Sequence, residues 1–131
     1  MALLMPVPLS YYSPLVGGLP GAARLGMEPT YYWDALDDGA LAFLNANTPP
    51  GRTVAFSGTP TSFLYLRQTG RLVPGIAPVD PGPPAWLVVQ NRPGSMPGPV
   101  RDLVRSVPAA FVVARFGVPL LWIIPMDRGA P

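Results

Sequence analysis

Proline and glycine interrupt this chain so often that it can build only short helices and strands. The 131 residues include 20 prolines and 14 glycines, which end helices and mark turns. No window reaches the roughly 18 uninterrupted apolar residues that a membrane-spanning helix requires. The length is sufficient for one domain with a single core. We therefore expect one domain and no transmembrane segment within these residues.

The composition excludes several kinds of catalytic and metal site. Because the chain contains no cysteine and no histidine, it cannot form a disulfide, a Ser-His-Asp triad or a zinc site of the usual type. Its basic residues are all arginines and its net charge is only +2, which does not indicate nucleic-acid binding. Arginines outnumber acidic residues in the second half, which fits either an ordinary solvated surface or attraction to anionic lipid head groups. We expect no metal, no cofactor and no nucleic-acid partner.

Apolar periodicity and turn residues predict alternating helices and strands. Apolar residues at three- and four-residue spacings predict helices over residues 34–47, 60–69 and about 97–107, the first with Asp34 as its N-cap. Short apolar or β-rich runs between turn residues predict strands at 53–57, 85–90, 110–114 and 120–124. The last two strands are predicted to form a hairpin connected through residues 115–119. The five prolines within 74–84 predict an irregular connection.

These elements predict a small three-layer α/β domain. Right-handed strand-helix-strand crossovers give a parallel sheet covered by helices, and the hairpin adds an antiparallel strand at one edge. We expect a mostly parallel sheet with an antiparallel C-terminal hairpin in a single domain, residues 34–131. Residues 1–33 are expected to form a glycine- and aromatic-rich arm across it.

Residues 9–36 combine two aromatic clusters with a glycine-rich run between them. Tyr11 and Tyr12 form the first cluster, and Tyr31, Tyr32 and Trp33 form the second. Such side chains join an apolar face to a polar tip, which suits a boundary between apolar and aqueous surroundings. The intervening glycines allow positive φ angles and close backbone approach.

This segment resembles the stretch that follows the last membrane span in GT-C-type, protein O-mannosyltransferase-like glycosyltransferases. In that group a Tyr-Tyr/Phe-x-Pro-Leu-x-Gly-Gly element precedes a Gly-Ala pair, an acidic residue and an aromatic-Trp pair that opens a helix. The corresponding residues here are 11–18, Gly21-Ala22, Glu28 and Tyr32-Trp33. The resemblance is close over residues 9–44 and only architectural beyond them.

The resemblance implies that the chain is the C-terminal extracytoplasmic domain of a membrane glycosyltransferase with a polyprenyl-phosphate sugar donor. The catalytic acid of that family lies in the first extramembrane loop, which has no counterpart here, so the resemblance implies no catalytic residue in this chain. The implied partners are the membrane-embedded part of the parent enzyme and a lipid-linked sugar or lipid head groups. The implied substrate-lining residues are Tyr11, Tyr12, Gly17, Gly18, Glu28, Tyr32 and Trp33. Alternatively, the aromatic residues pin the arm to its own domain, and Glu28 pairs with Arg24.

A second hypothesis is a free-standing soluble α/β module that binds a phosphorylated or nucleotide-like ligand. Ser57 and Thr59 lie where a predicted strand meets a helix, and hydroxyls and helix amides at such a junction can hold a phosphate. Arg92 follows the second buried strand and could bind the same anion. A plain capping turn is the favoured explanation of Ser57 and Thr59, and ordinary loop solvation is the default explanation of Arg92.

Overall fold

The computed structural model describes residues 13–30, 35–57, 63–72 and 82–126. Within this part, a short 3₁₀ helix (Pro14–Val16) and helices α1 (Gly18–Arg24) and α2 (Asp38–Asn47) precede strand β1 (Thr53–Ser57). The elements that follow are α3 (Phe63–Gln68), β2 (Pro84–Gln90), α4 (Gly98–Ser106), β3 (Phe111–Arg115) and β4 (Val118–Pro125). The fold class is therefore α/β, as the sequence predicts.

The four strands form one mixed sheet in the order β1-β2-β4-β3. Strands β1 and β2 are parallel, with Ser57 opposite Val89. Strand β4 lies between β2 and β3 and is antiparallel to both. The C-terminal hairpin is confirmed, but the prediction of a mostly parallel sheet is wrong, because β1-β2 is the single parallel pairing among the described strands. An interior position suits β4, which is apolar along both faces.

Helix α2 begins four residues later than predicted. Its N-cap is Asp37, whose Oδ1 accepts a hydrogen bond from the backbone N–H of Ala40 at 2.9 Å. An aspartate at this position pairs a backbone donor that the helix itself leaves unused. Asp34, the predicted N-cap, lies outside the described residues.

Buried apolar side chains form two clusters on opposite faces of the sheet. Along β2, Val88 belongs to the larger cluster and both Leu87 and Val89 to the smaller one, as the alternating side-chain directions of a strand require. Helices α1, α2 and α3 contribute to the larger cluster through Leu19, Leu41, Leu44 and Leu66. Helix α4 packs against the smaller cluster through Val100, Leu103 and Val104.

The β3-β4 hairpin has a two-residue turn and a bulge. The turn consists of Phe116 and Gly117, with φ angles of 51° and 76°, and is shorter than the predicted five-residue connection. Val113 faces Leu121 and Ala114 faces Pro119, so Leu120 is an extra residue in β4. The bulge allows both Leu120 and Leu121 to be buried in the larger cluster. Pro119, placed in the connection by the sequence, is the second residue of β4.

No helix within the described ranges is both long enough and apolar enough to cross a membrane.

Candidate binding site at the carboxyl edge of the sheet

The two parallel strands end at the same edge of the sheet, with Ser57 closing β1 and Gln90 closing β2. After β1 the chain enters α3, which packs in the larger cluster, and after β2 it enters α4 on the opposite face. Adjacent parallel strands whose connections leave on opposite faces open a crevice at their carboxyl ends, where α/β sheets bind ligands. We call this side of the sheet the carboxyl edge.

The β3-β4 turn lies at the carboxyl edge as well. Because β4 is antiparallel to β2, the start of β4 is beside the end of β2. The backbone N–H of Asn91 donates to the carbonyl oxygen of Leu120 at 2.9 Å. The edge therefore combines two strand ends and one hairpin turn.

The glycines around the start of α1 occupy backbone positions that other residues tolerate poorly. Gly17 and Gly18 join the 3₁₀ helix to α1 with φ angles of 80° and 63°, which favour glycine. At Gly21 an added Cβ would lie 1.7 Å from the carbonyl oxygen of Val16. Helix α1 was not predicted from the sequence, and its buried Leu19 joins the larger cluster.

The segment after α1 reaches the loop that follows β2. The hydroxyl of Thr30, a residue only 2% exposed, donates a hydrogen bond to the backbone carbonyl of Asn91 at 3.0 Å. Half-buried Glu28 lies against Gly94, where an added Cβ would stand 2.9 Å from the Glu28 Oε1 atom. Glu28 and Thr30 therefore both contact the loop after β2 at the carboxyl edge.

Asn91 joins three parts of the fold. Its carbonyl accepts from Thr30 in the segment after α1, and its backbone N–H donates to Leu120 in β4. Its side-chain Nδ2 donates to the carbonyl oxygen of Pro119 at 2.7 Å. The position of Thr30 is therefore coupled to the start of β4 through one residue.

Two open grooves meet at Asn91. The first has a volume of about 270 Å³ and lies between α4 and the sheet. It is lined by Asn91, Pro93, Met96, Arg101, Val104, Arg105 and Trp122. Nη2 of Arg101 donates to the carbonyl oxygen of Pro93 at 2.9 Å, so this guanidinium is held against the loop after β2.

The second groove has a volume of about 400 Å³ and lies between α1 and the hairpin turn. It is lined by Pro20, Ala23, Arg24, Asn91, Phe116, Gly117, Val118 and Pro119. The described linings of the two grooves contain arginine side chains and no carboxylate. Both grooves therefore combine apolar walls with positive charge.

The structure brings some of the predicted site residues to one place. Glu28 and Arg92 lie at the carboxyl edge, and Ser57 ends the neighbouring strand. Gly17 and Gly18 lie at the N-terminal end of α1, where Gly17 is the N-cap and Gly18 is the first helical residue. The remaining predicted site residues lie outside the described part of the chain: Tyr11, Tyr12, Tyr32, Trp33 and Thr59.

Sequence reasoning missed two residues of this edge, namely Thr30 and Asn91. Each lies close in sequence to a predicted site residue, since Thr30 follows Glu28 by two positions and Asn91 directly precedes Arg92. Over the described ranges, no three acidic side chains come together in a group that could hold a metal ion.

The carboxyl edge thus gathers Glu28 and Thr30, two strand ends and two basic grooves. The chain matches no protein-family model, and no curated protein or solved structure matches it.

Proposed function

We propose that this chain is the non-catalytic, extracytoplasmic C-terminal domain of a GT-C-type membrane glycosyltransferase that transfers a sugar from a polyprenyl-phosphate donor. The observation that carries the proposal is the backbone geometry of the resembled motif. Gly17, Gly18 and Gly21 sit where positive φ angles or close contact favour glycine. These three glycines of the motif therefore have a structural reason to be glycine, which supports reading them as part of a motif rather than as a chance run of small residues.

The acidic residue of the motif supports the same proposal. Glu28 lies against Gly94 at the carboxyl edge, the side of an α/β sheet that usually receives ligands. In the proposed enzyme, this edge and the aromatic residues Tyr11, Tyr12, Tyr32 and Trp33 line the entrance to the lipid-linked sugar site.

In this proposal, residues 1–33 form the membrane-proximal arm and residues 34–131 a three-layer domain. The two apolar clusters on opposite faces of the sheet support the three layers. The domain is membrane-associated on the extracytoplasmic side, and its partner is the membrane-embedded part of the same enzyme. Its own role is to cover the catalytic cavity or to help select the acceptor.

The proposal is tested first by sequencing upstream of the Met1 codon. We expect an open frame with successive apolar stretches of about 20 residues and an acidic residue in the first extramembrane loop. A stop codon directly upstream contradicts the proposal. Turnover of a lipid-linked sugar by the 131-residue chain alone contradicts the non-catalytic role.

In the whole enzyme, Glu28→Gln tests the contribution of the carboxyl edge. The substitution keeps the side-chain size and removes the charge beside Gly94, so we expect slower sugar transfer with an unchanged amount of folded protein. The matched control is Asp38→Asn, since Asp38 forms an exposed ion pair with Arg71. Equal rates of sugar transfer by the Glu28→Gln and Asp38→Asn variants would show that the charge of Glu28 has no part in transfer.

A second function, a soluble module for a phosphorylated or nucleotide-like ligand, is favoured by one specific observation. The connections after β1 and β2 leave on opposite faces, and Ser57 and Arg92 lie at the ends of these two strands. Calorimetry against nucleotides and sugar phosphates tests this function. We expect Arg92→Gln to weaken binding of a phosphorylated ligand. The absence of a binding signal with every compound of the panel would reject this second function.

A further inference from the structure

We propose that the hairpin turn and the end of α1 together bind an anionic lipid surface. We define the tip face as Arg24, Leu25, Phe116 and Gly117. The inference deepens the proposed function and rests on it, since that function places the domain beside a bilayer. It specifies the side of the domain that contacts the lipid and the residues that make this contact.

The tip face exposes two large apolar side chains. Leu25, directly after α1, is 69% exposed, and Phe116 in the hairpin turn is 55% exposed. Arg24 and Phe116 line the same groove, so the two segments are neighbours in space. Isolated exposed apolar residues are common on protein surfaces, but here two of them flank one arginine.

The backbone of Phe116 shows that folding alone does not favour phenylalanine at this position. With φ at 51°, Phe116 is the one residue other than glycine with a positive φ in the described ranges. Two-residue hairpin turns with positive φ favour Asn, Asp or Gly, whereas a bulky side chain is strained there. An exposed ring recovers little of this strain by packing within the domain. An aromatic side chain at the level of lipid head groups has a favourable environment.

The charges around the tip face suit an anionic partner. The groove that contains Phe116 and Gly117 is lined by Arg24, and the adjoining groove, which shares Asn91 with it, is lined by Arg101 and Arg105. No carboxylate lines either groove in the described residues. Arg115, beside the turn, is neutralised by Asp37, with 3.4 Å between Nη2 and Oδ2. Glu28 at the same edge offsets one positive charge.

An anionic bilayer satisfies both features of the tip face. Arginines close to such a surface are attracted by its negative potential, and apolar side chains enter the boundary between head groups and acyl chains. Leu25 and Phe116 are both already exposed, so contact with lipid does not require either side chain to leave the core.

Environment-sensitive labelling tests this orientation directly. Because the chain has no cysteine, Phe116→Cys provides a single thiol for a polarity-sensitive fluorophore. The matched control is Met126→Cys, since Met126 is 41% exposed and follows the opposite end of β4 from the turn. The labelled 131-residue chains are mixed with vesicles made of equal parts phosphatidylcholine and phosphatidylglycerol.

We expect a blue shift and increased intensity from the label at position 116 and no change from the label at position 126. Equal responses at the two positions, or no response at either, would overturn the proposal.

Co-sedimentation of the unlabelled chain with the same vesicles provides a second test. We expect Phe116→Asn to weaken partitioning about tenfold, the effect of removing one large apolar side chain from the lipid. Arg24→Gln should weaken partitioning in low salt and have little effect in high salt. Asparagine tolerates the turn conformation, so unfolding does not explain a loss of binding.

Equal binding to pure phosphatidylcholine vesicles, or full binding by Phe116→Asn, would reject the anionic lipid surface. These assays use only the 131-residue chain, whereas the proposed function is tested by the upstream reading frame. Failure of one is therefore distinguishable from failure of the other.

Discussion

The hydroxyl of Thr30 donates a hydrogen bond to the backbone carbonyl of Asn91 across 3.0 Å, although the two residues are 61 positions apart. Thr30 is almost fully buried, so the pairing also removes the cost of placing an unpaired hydroxyl away from water. The contact fastens the segment after α1 to the carboxyl edge.

Thr30→Val keeps the shape of the side chain and removes its hydroxyl. We expect the free energy of unfolding to fall by about 1–2 kcal/mol, measured by urea denaturation, and Thr30→Ser to retain most of the stability. Thr69→Val serves as control, because the Thr69 hydroxyl donates to Tyr65 on an exposed surface. Equal losses from the Thr30 and Thr69 variants would contradict this role of Thr30.

Gly21→Ala tests the close packing between the 3₁₀ helix and α1. The new Cβ would lie 1.7 Å from the carbonyl oxygen of Val16, so the backbone must shift, at an expected cost of about 2–3 kcal/mol in unfolding free energy. Gly98→Ala is the control, because an added Cβ at Gly98 meets no atom within 4 Å. A neutral Gly21→Ala in thermal unfolding would show that the two helical turns can separate freely.

Asp37 has two separable roles, as N-cap of α2 and as partner of Arg115. Asp37→Ala removes both and should lower the unfolding free energy by about 1–2 kcal/mol. Asp37→Asn keeps a capping oxygen and should cost less than about 1 kcal/mol. Combining each with Arg115→Gln in a double-mutant cycle measures the ion pair. A coupling of zero would mean that the cap accounts for the whole effect.

Phe116→Asn should stabilise the isolated domain. Asparagine adopts the left-handed conformation more readily than phenylalanine, so we expect the free energy of unfolding to rise by about 1 kcal/mol. Gly117→Ala, at a φ of 76°, should lower the free energy of unfolding by a similar amount. Such a loss would confirm the geometry of the turn. Destabilisation by Phe116→Asn would indicate that the ring packs usefully within the domain.

Local signals in the sequence were sufficient for β1, which spans Thr53–Ser57 as predicted. Glycines flank this short β-rich run, so its ends are fixed by nearby residues. The start of α2 was harder to predict, because Asp34, Asp37 and Asp38 all favour a cap. The choice between Asp37 and Asp38 as the N-cap becomes clear only in the tertiary structure, in which Asp37 also pairs with Arg115.

Two further features depend on contacts that the sequence does not reveal locally. Helix α1 contains one proline and two glycines, which oppose helix formation, and burial of Leu19 and Ala22 compensates for them. The position of β4 inside the sheet depends on pairing with β2, whose residue Gln90 faces Leu121. The candidate site was partly predictable, since the sequence identifies Glu28 and Arg92 as separate candidates. That they lie at the same edge of the sheet depends on the long-range contact between Thr30 and Asn91, which no local signal predicts.

The central position of β4 has a consequence for folding during synthesis. Strand β3 leaves the ribosome before β4, yet β4 is its partner in the sheet. Until β4 emerges, the nascent chain can pair β1 with β2, while β3 has no neighbouring strand and the larger apolar cluster lacks Leu120, Leu121 and Ile123. Cooperative closure of the sheet is therefore delayed until translation has passed Pro125, and a nascent chain stalled before Val118 would expose apolar surface to chaperones or proteases.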